Sequence, residues 1–192
     1  MTHRGTIAIE TERLILRRFA PGDLEPMFRN CWIDAEVWKW TGYEPMNSID
    51  DVLVLNNIFT DFWFAKYEQP DCYNWAMQLK SSGEVIGRLR GVRPDDRIHQ
   101  IELSYELGQS LWNLGLATEA ARAAIDFFFR EVGLNRVCAN HASENPASGR
   151  VMQKCGMTYE GTTRRTLKCN NGLFDTVIYA ILAEEYFNTW PK

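Results

Sequence analysis

Residues 112–120, WNLGLATEA, could bind a phosphate group through the backbone. Residues 100–108 before them alternate apolar and polar side chains, which is typical of a strand, and residues 117–132 after them show helical spacing of apolar side chains. Gly115 is therefore predicted in a strand-to-helix turn. The first amides of a helix have no intrahelical acceptor and carry partial positive charge, which suits a phosphate. Glycine also lets a ligand approach the backbone closely.

Two carboxylates, Glu102 and Glu106, share one face of the strand before this turn, because side chains alternate along a strand. They form either a solvated face or an anionic pocket, which would attract a cation. Asn145 precedes Pro146 and is predicted to cap a short helix, in which Ser148 lies in the first turn. No His, Cys and Asp spacing is typical of a metal site.

The remaining sequence predicts an α/β fold with a mixed sheet flanked by helices, in the order β-α-α-β-β-β-α-β-α-β-β. Strands are predicted at 13–19, 73–80, 84–92, 100–108, 135–143, 157–164 and 173–183. Helices are predicted for about ten residues after Asp23 and at 48–67, 117–132 and 146–155. We expect residues 1–192 to form a single domain.

The composition limits the classes of function. The chain has 192 residues, of which 45% are apolar and 24% charged, as in soluble globular proteins. A net charge of −4 argues against nonspecific nucleic-acid binding. The five cysteines form no CxxC pair, which favours reduced thiols and a cytoplasmic location. No apolar run reaches the roughly 18 residues of a membrane span, so no membrane partner is expected.

An aromatic cluster in residues 32–64 has two interpretations. Aromatic side chains dominate protein cores, so the whole cluster could simply pack against the sheet. Alternatively, Trp38, Trp40 and Tyr43, which lie among turn residues, line a pocket for an acceptor molecule.

Together these blocks resemble the GNAT acyltransferase superfamily, and within it the ribosomal-protein N-terminal acetyltransferase branch, which also includes small-molecule acetyltransferases. The resemblance spans residues 10–186 and rests on ETERLILRRF, IELSYELGQSLWNLGLATEA, GLNRVCANHASENPASGRVMQKCGMTYEG and LKCNNGLFDTVIYAIL. It implies a splayed central sheet, acetyl-CoA as co-substrate without a metal, and direct acetyl transfer to an amine. The amine would belong to a protein N-terminus, such as that of a ribosomal protein, or to a small molecule. The family also includes many homodimers.

The resemblance also assigns roles to individual residues. The strand end would bind the pantetheine arm through its main chain, and the turn amides would hold the pyrophosphate. The implied cofactor-binding residues are Tyr105, Glu106, Leu107, Asn113, Leu114, Gly115, Leu116, Ala117, Thr118, Asn145 and Ser148. The serine that matches Ser148 lies near the thioester sulfur and is proposed to protonate the thiolate. Glu160 matches a proposed base of the ribosomal branch and Glu102 a recurrent acidic position, and we favour Glu160.

Two departures from the family pattern keep a second function open. In the turn, the family commonly has a basic or glutamine side chain at the positions that here hold Trp112, Asn113 and Leu114. In the helix predicted at 146–155, many members have a catalytic tyrosine at the position of Met152. Backbone amides can bind phosphate without that side chain, but these changes would also suit a non-catalytic domain that binds or senses acyl-CoA.

Overall fold

The computed structural model describes residues 1–43, 46–51 and 66–189. Its strands are β1 (Ile9–Glu10), β2 (Leu14–Arg17), β3 (Tyr73–Leu79), β4 (Val85–Asp95), β5 (Gln100–Leu107), β6 (Arg136–Ala142), β7 (Thr158–Cys169) and β8 (Gly172–Leu182). The helices that we label are α1 (Leu24–Met27), α2 (Ala35–Trp38), α3 (Leu116–Phe127), α4 (Pro146–Lys154) and α5 (Ala183–Thr189). The predicted α/β class and mixed sheet are confirmed.

The eight strands form one sheet in the order β1-β2-β3-β4-β5-β6-β8-β7. All neighbours are antiparallel except β5 and β6, which are parallel and pair only from Gln100–Arg136 to Glu102–Cys138. Beyond Glu102 these two described strands form no further pairs, and they diverge toward their carboxyl ends. The sheet is therefore splayed at the point where β5 leads into α3 and β6 leads into α4.

The two faces of the sheet are covered by different elements. On one face, buried residues of the strands pack against α3 and its continuation, a π-helical turn at Phe128–Val132 that ends at the left-handed Gly133. On the other face, Met27, Trp32 and Trp38 pack against Ala76 and Val85. Each fully buried large apolar side chain contributes roughly 1.5–3 kcal/mol to folding, so both layers hold the splayed strands in place.

Several boundaries differ from the sequence prediction. Asp23 does not cap a ten-residue helix, because its carboxylate accepts hydrogen bonds from the Ala20 amide and from Arg17. A 3₁₀ turn, α1 and a π-helical turn at Phe28–Trp32 replace that helix. The structure also adds β1 and α5, which the sequence does not predict.

The predicted helix at 48–67 begins as expected: the Ser48 hydroxyl accepts the Asp51 amide and the Asp51 carboxylate accepts the Ser48 amide. Residues 52–65 of that prediction lie outside the described residues. Within the described part of the chain, no helix is long and apolar enough to cross a membrane.

Candidate active site

A cleft of about 990 Å³ opens where β5 and β6 diverge. Residues at the start of α3 and α4 form one side, which we call the turn side. Its lining residues are Trp112, Asn113, Gly115, Leu116, Ala117, Thr118, Asn145 and Ser148. The other side, which we call the charged side, lies on β4, β5 and β6. Its lining residues are Arg90, Arg93, Glu102, Ser104, Glu106 and Asn140. One cleft thus brings together most of the residues that the sequence selects.

Gly115 is the residue at which the turn becomes helix α3. Its backbone is left-handed, with φ +81° and ψ 0°, and it occupies the N-cap position. A Cβ atom there would meet only the Arg13 Nη2 atom, at 3.5 Å, so the space around the turn is open. The amides of Leu116, Ala117 and Thr118 belong to the first turn of α3 and have no intrahelical acceptors. This arrangement fits a pyrophosphate, whereas Leu114 is exposed and does not line the cleft.

Positive charge reaches the turn side from other parts of the chain. The Arg13 guanidinium donates to the Leu114 carbonyl at 2.8 Å and to the Glu119 carboxylate at 2.7 Å. Arg150 and Lys154 of α4 also line the cleft. The sequence pattern around the turn does not indicate these cations, because they lie in other parts of the chain.

Trp112, one of the departures from the family pattern, connects the turn to the sheet. Its indole Nε1 donates to the Leu107 carbonyl at 2.7 Å. A carbonyl oxygen has two lone pairs, so Leu107 keeps acceptor capacity for a ligand. The indole therefore fixes the position of the turn relative to the end of β5.

Helix α4 packs closely against β6. A Cβ atom on Gly149 would lie 2.7 Å from Nε2 of the buried His141 ring, so only glycine allows this approach. Asn145 occupies the N-cap position, but its side chain makes no capping hydrogen bond. The predicted capping role of that side chain is therefore wrong. The Asn145 side chain instead lines the cleft.

Ser148 is hydrogen-bonded to a tyrosine from a different element. The Tyr105 hydroxyl lies 2.8 Å from the Ser148 Oγ atom and 3.1 Å from the Ser148 carbonyl oxygen. Burial raises the pKa of Tyr105, while the hydrogen bond with Ser148 lowers it by a smaller amount, so the phenol stays protonated at neutral pH. Met152 is buried, with 3% of its surface exposed. Strand β5 thus supplies a tyrosine hydroxyl that α4 does not provide.

Glu102 lies where β5 and β6 part. Its carboxylate accepts hydrogen bonds from Arg93 Nη1 at 2.8 Å and from Asn140 Nδ2 at 2.9 Å. These two donors come from β4 and β6, so the carboxylate is held from both sides. It lines the cleft and can accept a proton there, directly or through water.

Glu106 is the most deeply buried carboxylate of the cleft. It pairs with Arg88 Nη2 at 2.8 Å and accepts the Trp32 indole N–H at 2.9 Å. Burial acts to raise the pKa of Glu106, but the charges of Arg88 and Arg90 outweigh this and leave the pKa lowered. Its side chain is therefore a charged structural group in the wall of the cleft, where it joins β5 to Arg88 of β4 and to Trp32.

Glu160 does not line the cleft. Its carboxylate forms a bidentate ion pair with the Arg136 guanidinium, and 39% of its side chain is exposed. The hydrogen bonds from Arg136 lower the pKa of Glu160, which makes it a weaker base. The geometry brings Glu102, and not Glu160, together with Ser148.

The comparisons with known proteins agree with this geometry. The family model for the GNAT acetyltransferase domain matches residues 13–158. The chain belongs to the GNAT acetyltransferase family. It is similar to YnaD, an uncharacterised N-acetyltransferase of Bacillus subtilis, with 38% identity over 178 residues, which cover 93% of this chain and 98% of that protein.

Two further similarities are to a solved GNAT structure and to an enzyme of the ribosomal branch. A GNAT acetyltransferase structure from Bacillus anthracis superimposes with a TM-score of 0.78 and 29% identity, covering 93% of this chain and 99% of that one. The ribosomal protein uS5-alanine N-acetyltransferase of Escherichia coli is 30% identical over 88 residues, which are 46% of this chain and 45% of that protein. The chain is an acetyltransferase, and the suspected ribosomal branch is among its relatives.

The aromatic residues of the acetyltransferase divide between the two interpretations. Trp38 is buried in the core, whereas Trp40 and Tyr43 line the cleft. Asn170, in the β7–β8 turn, donates to the carbonyls of Trp38 and Tyr43 at 3.1 and 2.6 Å. The hairpin therefore holds this segment over the charged side. The predicted aromatic residues at 59–64 lie outside the described residues.

Proposed function

We propose that the chain transfers an acetyl group from acetyl-CoA directly to a primary amine. The splay between β5 and β6 is the observation that carries this proposal. It joins a turn suited to a pyrophosphate and the carboxylate of Glu102, which suits an amine, within one cleft. The eight-stranded sheet supports treating residues 1–192 as one domain, and the free cysteines support a reducing compartment such as the cytoplasm.

The residues of the turn side fit acetyl-CoA. The open left-handed Gly115 would leave the first amides of α3 free to hold the pyrophosphate, with Arg13, Arg150 and Lys154 as nearby cations. Residues Tyr105 to Leu107 pair with β4 but not with β6, so their edge toward the splay would bind the pantetheine arm. The Asn145 side chain, which makes no capping hydrogen bond, would face that arm. When bound, acetyl-CoA supplies an activated acyl group on a thioester.

Glu102 is the better candidate for the base. A primary ammonium must lose a proton before it attacks, and a carboxylate reached through water is sufficient when the amine has a pKa of about 8. Arg93 and Asn140 hold the Glu102 carboxylate on the charged side of the cleft. The role of Glu160 as the base, which the resemblance to the ribosomal branch implies, stays a prediction. The ion pair between Glu160 and Arg136 does not favour that role.

Ser148 is proposed to act at the sulfur, with Tyr105 as a positioning residue. In the transfer, a nitrogen–carbon bond forms, the carbon–sulfur bond breaks, the amine proton passes to Glu102 or water, and the thiolate takes up a proton. The Ser148 hydroxyl would donate to that developing thiolate. The Tyr105 hydroxyl, 2.8 Å from Ser148 Oγ, would orient the Ser148 hydroxyl, and water in the cleft would return a proton to Ser148.

The experiment is a measurement of free thiol release from acetyl-CoA with a panel of primary amines, beside a calorimetric titration with acetyl-CoA. We expect saturable one-site binding and thiol release that depends on the amine. Binding without amine-dependent release would show a non-catalytic acyl-CoA binding domain instead. Absence of binding would contradict the whole proposal.

A further inference from the structure

The charged side of the cleft is a ladder of facing residues on β4 and β5. The antiparallel register sets Arg88 opposite Glu106 and Arg90 opposite Ser104, with Glu102 two residues further along β5. Alternating side chains point to the same face, so these groups share one surface. Arg90, Glu102, Ser104 and Glu106 of that surface line the cleft.

Arg90 differs from the other arginines of this ladder in its partners. Its Nη2 atom donates to the Ser104 hydroxyl at 3.2 Å, and its guanidinium is also hydrogen-bonded to the Tyr43 side chain. Both partners are uncharged hydroxyls, and Arg90 forms no ion pair with a carboxylate of the described residues. Arg88 pairs with Glu106 and Arg93 pairs with Glu102. Arg90 is half-buried and lines the cleft. It therefore presents a cation to whatever occupies the cleft.

The charges around Arg90 do not neutralise it. Arg88 on the ladder and Arg93 beside it already bind the two carboxylates, Glu106 and Glu102. Among these described residues, the guanidinium of Arg90 is therefore the one left without a carboxylate. Burial and the charge of Arg88 lower the pKa of Arg90, against the smaller opposing effects of Glu106 and Tyr43. A partly desolvated guanidinium without a carboxylate is costly, and an anionic ligand would remove that cost.

We propose that Arg90 binds a carboxylate of the acceptor, and that the acceptor is a small amine with a carboxylate close to its nitrogen, such as an amino acid. This inference rests on the proposed acetyl transfer and names its substrate class. The guanidinium fork suits a carboxylate because it can donate two parallel hydrogen bonds.

The spacing of the two charges fits such a molecule. Glu102 and Arg90 are diagonal neighbours across β5 and β4, for which the Cα atoms lie roughly 7–8 Å apart. An amino acid can place its ammonium near Glu102 and its carboxylate near Arg90 at the same time. A polyamine or an aminoglycoside carries only cations and would be repelled by Arg90, and a peptide N-terminus lacks a carboxylate at that distance.

The test compares amino acids with their carboxamides, which lack the carboxylate charge. The α-amine of a carboxamide is also less basic, which by itself favours the amide, so a preference for the acid has to come from its carboxylate. Thiol release from acetyl-CoA is measured for both series, beside spermidine and a short peptide, with the wild type and with Arg90→Gln and Arg90→Lys. Arg97→Gln is the control, because Arg97 is exposed, pairs with Asp95 and lies outside the cleft. Calorimetry with acetyl-CoA accompanies each protein.

The wild type and Arg97→Gln should prefer at least one amino acid over its carboxamide by about 10- to 100-fold in kcat/KM, as expected for a hydrogen bond between charged groups. Arg90→Gln should abolish that preference, because it slows the reaction of the amino acids and not that of the carboxamides. Arg90→Lys should keep part of the preference, because it keeps the positive charge. Both variants should bind acetyl-CoA with the wild-type affinity. Equal rates for acids and amides, or a preference for spermidine or the peptide, would overturn the inference while acetyl transfer stands. Failure of the wild type to bind acetyl-CoA would overturn the proposed function itself.

Discussion

The turn side of the cleft is formed mainly by backbone, whereas the charged side is formed by side chains from several elements. Gly115 and the first amides of α3 need only the correct local conformation. The charged side needs Arg88, Glu106 and Trp32 to meet in one buried cluster. A backbone site tolerates varied side chains, while a buried ion cluster depends on every member. This difference explains how Trp112 can replace a family residue without loss of the turn.

Replacement of Gly115 should have the largest effect on ligand binding, because it places a side chain and a negative charge at the proposed pyrophosphate site. Gly115→Glu should weaken acetyl-CoA binding at least about 100-fold, or roughly 2.7 kcal/mol, in a calorimetric titration. Gly83→Glu is the matched control, since Gly83 is also left-handed, at φ +74°, and its Cβ would meet nothing within 4 Å. Equal affinities of the two variants would remove the phosphate role from this turn.

The buried cluster on the charged side should respond in stability. Glu106→Gln leaves Arg88 buried without its carboxylate, so the free energy of unfolding at pH 7 should fall by roughly 3–5 kcal/mol in urea titrations. Glu10→Gln removes an ion pair whose glutamate side chain is 72% exposed, and it should change stability by less than about 0.5 kcal/mol. Similar losses of stability for the two variants would show that the buried Arg88–Glu106 pair contributes no more to folding than an exposed ion pair.

The same variant has a defined pH dependence. The folded state lowers the pKa of Glu106, so its stabilising contribution is complete above the ordinary carboxyl pKa of about 4.3 and is lost as pH falls through the lowered value. The stability gap between wild type and Glu106→Gln should therefore shrink below about pH 4. A gap that stays constant down to pH 3 would contradict this interpretation.

The choice of base is tested by a pair of variants. Glu102→Gln should lower kcat by about 100-fold and remove the acid limb of the pH–rate profile. Glu160→Gln should keep the wild-type profile, because Glu160 lies outside the cleft and binds Arg136. If Glu160→Gln loses the limb and Glu102→Gln keeps it, the assignment is reversed.

The Tyr105–Ser148 pair should have the smallest effect. Ser148→Ala should lower kcat about tenfold with unchanged acetyl-CoA affinity, and Tyr105→Phe should lower it by less. Because Tyr105 acts through Ser148, the double variant should be no slower than Ser148→Ala alone. Additive losses would show that the two hydroxyls act independently.

The two sides of the cleft also differ in how far the sequence predicts them. The periodicities around Gly115 are local, so the strand, the turn and α3 could be predicted. The Trp32–Glu106 contact joins residues 74 positions apart, and Arg13 reaches Leu114 across 101 positions. Such contacts follow from the order of strands in the sheet, which no local pattern contains. Glu160 shows the same limit, since its pairing with Arg136 depends on the placement of β7 beside the β6–β8 pair.

The most direct test of the account is hydrogen–deuterium exchange with and without acetyl-CoA, because it locates the bound donor on the chain. We predict slower exchange in residues 103–107 of β5 and 113–118 of the turn, with little change in β2 and β3. Protection confined to other elements, under conditions in which acetyl-CoA saturates the protein, would contradict a donor site in the splay between β5 and β6.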